Sequence, residues 1–312
     1  MSWRARWPLL RRLLIAGFFL VAAALLWRYA RLVDWAAVAA AIADYPGPRL
    51  ALAAAVSLTA YALYCTLDLL ARDYTGHGLR RMRVYAIAFV SYAFNLNLGG
   101  MVGGIGFRYR LYWRAGLDVA TISRVIAFVI AGNWSGYLLL GGLALAFNPL
   151  PLPPEWEVGA LGIRIAGFGM LAGQAAWLAL CAFSPRRSWR VRGHLIELPS
   201  PHIALRQLLV ASASWLAITT ILFVLLPAGI GYLTIGGVLA LSVLANLIVR
   251  IPANLGVLEA VFVGMLGTQV PPPQILAALL TYRAMFHIGP LLLALGILLL
   301  LEMRPTHRSP SR

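Results

Sequence analysis

The sequence contains no lysine, and charged residues of both signs make up only 12% of its 312 residues. Soluble domains carry about 25% charged residues, so the composition excludes an ordinary soluble enzyme, a disordered chain and a fibrous repeat. Cysteine is also scarce, because only Cys65 and Cys181 are present and both lie within apolar runs. The cysteines therefore provide neither a disulfide framework nor the spacing of a metal site.

Apolar residues, in contrast, make up 61% of the chain, and the mean hydropathy is +0.82. A membrane-spanning helix needs about 20 apolar residues. The sequence predicts six full spans, at about 13–30 (interpreted as an uncleaved anchor), 50–70, 122–147, 160–183, 207–227 and 275–301. A short interfacial helix is expected at 32–45. Two further apolar stretches, 84–120 and 233–270, are interrupted by glycine, proline and charge, which predicts re-entrant or short broken helical hairpins. The expected fold class is all-α, a polytopic integral membrane protein.

The formal charge of +16 comes entirely from arginine on the basic side. The arginines lie in short clusters between the apolar runs, with 20 of the 26 in segments that a single topology places inside. This asymmetry is typical of cytoplasmic loops, including a basic loop at 184–206, and it places both chain termini in the cytoplasm. Because the charge is not gathered on one soluble face, no nucleic-acid partner is expected.

The order of two spans, a hairpin and a span occurs twice within the single membrane domain 1–312, at 13–147 and 160–301. Each copy crosses the membrane three times, so the second would be inverted. Gly106 and Gly256 lie 150 residues apart in the two hairpins. Broken segments in matching halves are a pointer to a transporter-like site near the midplane. The alternative is that any two glycine-containing membrane hairpins look alike.

Charged residues at the two hairpins and on the last span carry the functional prediction. Arg108, Arg250, Glu259 and Arg283 are all expected near membrane depth, where each charge costs about 2.5–3.5 kcal/mol on insertion scales. In one interpretation Glu259 only neutralises Arg250 or Arg283, as a structural bridge. In the other, the excess of arginine makes a positive cavity for an anionic head group, since arginine binds phosphate with two parallel hydrogen bonds. Glu259 is the only acidic residue expected near mid-membrane.

Several nearby residues have two interpretations. Arg110 and Arg114 are either site residues or anchors at the inner lipid phosphates. Gly103 and Gly104 are expected to permit a tight hairpin, because no Gly-Lys-Ser/Thr follows them as in a phosphate loop. His287 is either a packed histidine or a proton carrier, and we expect a packed histidine.

Five segments resemble a known family: 92–96, 103–112, 133–134, 198–200 and 251–262. They are similar to the lysylphosphatidylglycerol synthase transmembrane region family, also described as flippase-like, over nearly the whole chain. The residues that match its motifs are Asn95, Gly104, Gly106, Arg108, Tyr109, Arg110, Pro252, Gly256 and Glu259. Arg283 follows from both the resemblance and its depth.

The resemblance implies an integral protein of the bacterial inner membrane. In a family relative, a separate soluble domain attaches lysine to phosphatidylglycerol and the membrane half moves the product outward. The sequence ends at Arg312 without such a domain, so synthase activity is not expected.

The sequence thus predicts a lipid translocator for an anionic or phosphate-bearing lipid, with membrane lipid as its partner and with no cofactor, metal or catalytic residue. The predicted substrate-binding residues are Arg108, Arg110, Glu259, Arg283, Asn95 and Tyr109. The predicted structural residues of the hairpins are Gly103, Gly104, Gly106, Pro252 and Gly256. One alternative is an accessory subunit of a lipid-synthesis enzyme. The other is an intramembrane lipid-modifying enzyme, for which no His-Glu-x-x-His or Ser-His-Asp arrangement is found.

Overall fold

The structure, a computed structural model, describes residues 34–148, 150, 159–191, 194–249, 251 and 254–303. The predicted first span at 13–30 lies outside these residues. Arg250 and Pro252, two residues that the sequence analysis singled out, lie outside them as well.

The described part is built mainly of helices. In chain order they are α1 Trp35–Ala43, α2 Gly47–Thr75, α3 Arg81–Leu98, a π-helical segment Gly100–Phe107, α4 Arg108–Arg114, α5 Val119–Phe147, α6 Ala160–Phe183, α7 Pro201–Leu225, α8 Tyr232–Val249, α9 Val257–Leu266, α10 Pro272–Arg283, a second π-helical segment Ala284–Ile288, and α11 Gly289–Met303.

Six of the described helices are long and apolar enough to cross a membrane: Gly47–Thr75, Val119–Phe147, Ala160–Phe183, Pro201–Leu225, Tyr232–Val249 and Pro272–Met303. Five of these confirm predicted spans. The sixth, α8, is the first arm of the predicted second hairpin, and its 18 residues are long enough to cross by themselves. The second arm, α9, has only 10 residues, so this hairpin is asymmetric. The interfacial helix expected at 32–45 is α1, which packs its buried Val38 against α10.

The basic loop at 184–206 contains a short β-hairpin that an all-α prediction did not include. Strand β1, Ser188–Val191, pairs antiparallel with β2, His194–Glu197. In β1, Trp189 and Val191 alternate with polar residues, a pattern that favours β-structure. The Tyr74 hydroxyl donates to the Glu197 carbonyl over 2.8 Å, and Arg124 forms an ion pair with the Glu197 side chain. The hairpin is therefore attached to the adjoining ends of α2 and α5.

Hydrogen bonds between residues near helix ends show which ends lie on the same side of the bundle. At the end that carries the β-hairpin, Arg114 at the end of α4 donates to the Glu302 carbonyl near the end of α11. At the opposite end, the Tyr45 hydroxyl donates to the Leu225 carbonyl over 2.7 Å. These groupings match the predicted sidedness of the loops relative to one another. Which end faces the cytoplasm remains a prediction.

The first hairpin turns back immediately after α3. Gly99 adopts a left-handed φ of 83°, and the π-helical segment Gly100–Phe107 then lies against α3. A Cβ at Gly103 would lie 2.1 Å from the Phe94 carbonyl oxygen. At this point α3 and the π-helical segment are therefore too close together for any residue that has a Cβ. The turn leads directly into α4, which carries Arg108.

The helix bounds of the two halves recur at a nearly constant interval. Helices α3 and α8 both have 18 residues, and they begin at Arg81 and Tyr232. Each is followed by a broken segment and then by a long apolar helix. An inverted repeat of 13–147 and 160–301 predicts this recurrence, and the repeat itself remains a prediction.

Candidate functional site

The second hairpin places a carboxylate at the start of α9, directly opposite an arginine at the end of α10. Arg283 Nε donates to Glu259 Oε1 over 2.6 Å, and one Nη donates to Oε2 over 3.1 Å. Parallel bonds of this kind are the geometry in which arginine binds carboxylate or phosphate most strongly. The two side chains are 11% and 13% exposed, so the pair is sheltered but not sealed.

The local backbone explains why Glu259 lies there. Gly256 precedes the helix with a left-handed φ of 77°, and its N–H donates to Glu259 Oε2 over 2.9 Å. This is the return bond of a capping box. The same Arg283 Nη donates to the Asn254 carbonyl over 2.9 Å, and Asn254 also has a positive φ, 55°. The Asn254 carbonyl and the Glu259 carboxylate therefore both accept hydrogen bonds from the Arg283 guanidinium.

The first hairpin carries a second ion pair that is more deeply buried. Arg108 Nε and one Nη donate to the two carboxylate oxygens of Asp68, each over 3.0 Å. The Tyr112 hydroxyl donates to the same carboxylate over 3.0 Å, and a further Arg108 Nη donates to the Gly104 carbonyl over 3.3 Å. Arg108 is 3% exposed and Asp68 is 0% exposed. This cluster fastens α4 to α2.

Asp68 is the residue that the sequence analysis missed. Asp68 lies fully buried within a spanning helix, seven residues before its end, and the sequence analysis did not consider it beside Glu259. It also changes the charge balance, since each of the two buried arginines that the structure describes, Arg108 and Arg283, faces its own carboxylate. The signal in the sequence was a single Asp inside the apolar run 50–70.

A layer of aromatic rings lies between the two ion pairs. Tyr64, one helical turn before Asp68, stacks on Tyr92 with ring centroids 3.5 Å apart. Tyr92 contacts Tyr61, which contacts Phe286, and Phe286 stacks on Tyr282 beside Arg283. The two pairs thus belong to one packed core, although each arginine keeps its own acidic partner.

Other predicted site residues lie around these clusters or apart from them. Asn95 Oδ1 would be 2.6 Å from a Cβ at Gly104, so the amide packs directly onto the first hairpin. Tyr109 is partly exposed on α4, and Arg110 forms an exposed ion pair with Glu302 over 2.7 Å. The structure therefore joins Glu259, Arg283 and Gly256, and groups Arg108 with Gly104, but places Arg110 at the end of the bundle.

Histidines lie close to both clusters. His287 is buried beside the rings of Tyr282 and Phe286, as expected for a packed histidine. His77, in the loop after α2, packs its ring against Tyr112. Burial is the main cause that lowers the pKa of His77, and the positive charge of Arg72 lowers it further. In the described part of the chain no three His, Cys, Asp or Glu residues stand close enough to hold a metal ion.

Long apolar helices, a short broken helix and two sheltered ion pairs together define a polytopic membrane protein with buried charged groups. A family model described as the lysylphosphatidylglycerol synthase TM region matches residues 14–294. The chain belongs to this family.

Three relatives extend the comparison. The chain is 44% identical over 300 residues to the inner membrane protein YbhN of Escherichia coli K12, covering 95% of this chain and 94% of that protein. It is 30% identical over 283 residues to the uncharacterized protein slr0712 of Synechocystis, covering 89% and 88%. It is 24% identical over 225 residues to a phosphatidylglycerol lysyltransferase of Staphylococcus haemolyticus, covering 69% of this chain but 25% of that enzyme.

Proposed function

We propose that this protein is a lipid translocator for an anionic or other phosphate-bearing membrane lipid, and not an enzyme. The observation that carries the proposal is the Glu259–Arg283 pair, a bidentate arginine contact at the first turn of a broken helix inside the bundle. The family membership supports a link to lipid biology. The sequence similarity to the Staphylococcus haemolyticus lysyltransferase covers only a quarter of that enzyme.

A lipid phosphate can take the place of the Glu259 carboxylate without rebuilding the site. Arginine binds phosphate and carboxylate through the same two parallel N–H donors. The first turn of α9 adds backbone N–H groups and the positive end of the helix dipole, which favour an anion. In the empty state Glu259 neutralises Arg283, and an arriving phosphate displaces it.

The two ion pairs are suited to different tasks. Breaking a buried pair is expensive because it leaves a charge without a partner in a medium of low polarity. Arg108 and Asp68 are almost completely buried and share a Tyr112 hydroxyl, whereas Arg283 and Glu259 retain some exposure. The second pair is therefore the one that opens for a ligand. Direct contact of Arg108 with a head group remains a prediction of the sequence.

An accessory role in lipid synthesis is the second candidate. In the Staphylococcus haemolyticus lysyltransferase, the region similar to this chain forms 25% of an enzyme. A chain of this family could therefore hold a separate lipid enzyme in the membrane. Stable purification with such an enzyme, together with no lipid movement, would favour this function over translocation.

Lipid movement in proteoliposomes tests the proposal. The purified chain would be reconstituted, and the transfer of fluorescent lipids that differ only in head group would be followed between leaflets. We expect faster movement of an anionic lipid than in empty liposomes, and loss of this movement in Arg283→Gln. Arg206→Gln, which changes an exposed arginine on α7, is the matched control. Equal rates in wild-type, Arg283→Gln and empty liposomes would refute translocation.

A further inference from the structure

At the end of the bundle opposite the β-hairpin, an arginine is held over the end of a helix. Arg49, in the first turn of α2, donates Nη to the Leu226 carbonyl over 2.6 Å and Nε to the Val224 carbonyl. Its guanidinium also lies over the Tyr45 ring, 5.3 Å from the centroid. A guanidinium has five N–H donors, and these two bonds use two of them. The same group can therefore hold an anionic oxygen while it caps α7.

Arg49 lines an open cavity of about 600 Å³, which we call the Arg49 cavity. The remaining lining comes from Phe223 and from residues 226–232, the glycine-rich connection between α7 and α8. Arg49 is the only charged side chain among these lining residues. The cavity lies where spanning helices end, which is the level of lipid head groups in a bilayer.

A second, smaller cavity of about 90 Å³ shares the lining residue Tyr232 with the Arg49 cavity. It lies between α5, α7 and α8, and the residues that line it include Tyr137, Gly141 and Gly236. The lining is mainly apolar. Leu216 and Leu233 at its rim are strongly exposed, and on spanning helices such exposed leucines face lipid chains. We call this cavity the acyl groove.

Tyr232 lines both cavities, which therefore adjoin each other at this residue. Its hydroxyl donates to the Leu216 carbonyl over 2.8 Å, and its ring contacts Phe223 with centroids 5.5 Å apart. These contacts fix the ring between a cationic compartment at head-group level and an apolar compartment below it. Taken together, the two adjoining cavities have the polarity profile of one phospholipid.

From this arrangement we infer a phospholipid-binding site, with the phosphate held by Arg49 and one acyl chain lying in the acyl groove. The occupant comes from the leaflet at the Arg49 end of the bundle. A soluble anion would use only the Arg49 cavity, and an apolar molecule only the groove. The site is separate from the Glu259–Arg283 pair, and its occupancy does not depend on translocation.

Photocrosslinking of the full chain in liposomes tests the site. The probe is phosphatidylglycerol with a diazirine near the end of one acyl chain. The comparison probe is the matching diacylglycerol, which lacks the phosphate. We expect phosphatidylglycerol to label peptides of α5, α7 and α8 that line the acyl groove, and diacylglycerol to label them much more weakly. Because hydrogen bonds to charged groups are strong, Arg49→Gln should reduce the phosphatidylglycerol yield about tenfold.

Two further variants keep the test decisive. Arg164→Gln is the matched control, because Arg164 also donates to a carbonyl at a helix end, that of Ala146 over 3.3 Å, but does not line either cavity. It should leave labelling unchanged. Gly236→Leu fills the groove without touching Arg49, since a Cβ there would make only ordinary contacts, at 3.6 Å from Thr219, and it should abolish labelling of the groove.

Two results would overturn the inference. One is equal labelling by phosphatidylglycerol and diacylglycerol, which would mean that the phosphate contributes nothing. The other is wild-type labelling in Gly236→Leu, which would place the acyl chain elsewhere even if Arg49→Gln failed to fold. Because labelling reports occupancy and not movement, this result is independent of whether the protein translocates lipid.

Discussion

Two arginines with nearly the same local geometry differ in what surrounds them. Both Arg108 and Arg283 make bidentate contacts with a carboxylate. The Asp68–Arg108 pair is almost completely buried, and it also bonds the Tyr112 hydroxyl and the Gly104 carbonyl. The Glu259–Arg283 pair, in contrast, lies at a turn and keeps some exposure. This difference supports our proposal that the first pair holds the fold, whereas the second exchanges its carboxylate for a ligand.

Asp68→Asn should strongly destabilise the protein. The substitution keeps the shape of the side chain but leaves Arg108 as an unpaired buried charge, which typically costs about 3–5 kcal/mol. Thermal unfolding of the detergent-purified protein measures the loss. Asp73→Asn is the control, since Asp73 forms an exposed pair with Arg72, and such pairs contribute about 0–1 kcal/mol.

A second substitution shows whether the charge is responsible. Combining Asp68→Asn with Arg108→Met removes both charges and should recover part of the lost stability. If Asp68→Asn unfolded at the same temperature as the wild type, the pair would not hold α4 to α2.

The sequence predicted one half of this charge arrangement and not the other. Glu259 and Arg283 could be identified because each interrupts an apolar run that is otherwise long enough to span. Asp68 was concealed within a run whose average hydropathy still fits a span. Its partner Arg108 is 40 residues away, and only the folding of the first hairpin onto α2 brings them together. Pairing across elements is a property of packing that a hydropathy pattern does not contain.

At the scale of elements, the first hairpin depends on how closely its two segments approach. Gly103 faces the backbone of Phe94 and Asn95, where a Cβ would be 2.1–2.4 Å from the nearest backbone atoms. Gly106, three residues later, would place a Cβ 3.5 Å from the Met101 carbonyl, which is an ordinary contact. The glycines of this motif are therefore not equivalent.

Gly103→Ala should disrupt the hairpin, and Gly106→Ala should not. The first variant forces backbone apart, and overpacking of this kind costs about 1–3 kcal/mol. Apparent melting temperature and resistance to proteolysis of the purified variants would show the difference. Equal stability of the two variants would mean that the close contact between α3 and the π-helical segment is not required.

Element prediction succeeded where a long apolar run was uninterrupted and was incomplete where it was not. Five of the six spanning helices among the described residues were predicted as spans, because their length and hydropathy are sufficient evidence. The β-hairpin at 188–197 was missed because its strands are only four residues long. The first arm of the second hairpin, α8, is an 18-residue helix, and the sequence could not show whether it crosses fully.

At the scale of the whole molecule, the loops divide between the two ends of the bundle as the arginine distribution predicts. The β-hairpin joins the ends of α2 and α5, and the connection at 226–231 lies beside the start of α2 at the other end. The arginine distribution predicts one orientation of this bundle, in which the β-hairpin end is cytoplasmic.

Cysteine labelling in intact cells would determine this orientation. Both native cysteines are buried, so introduced cysteines would be labelled over a low background. A membrane-impermeant reagent should label Ala228→Cys from outside and should label Ser188→Cys only after the membrane is permeabilised. The reverse pattern would invert the topology and move the Arg49 cavity to the cytoplasmic leaflet.

We propose that a lipid phosphate displaces Glu259 from Arg283. The most direct test measures lipid occupancy and lipid movement in the same proteoliposomes for wild-type protein and Glu259→Gln. Without the competing carboxylate, Arg283 should hold an anionic lipid more tightly and release it more slowly. We expect higher occupancy together with slower movement, at unchanged amounts of folded protein. Unchanged occupancy and movement, or a parallel fall of both with the amount of folded protein, would show that the pair is only a structural bridge.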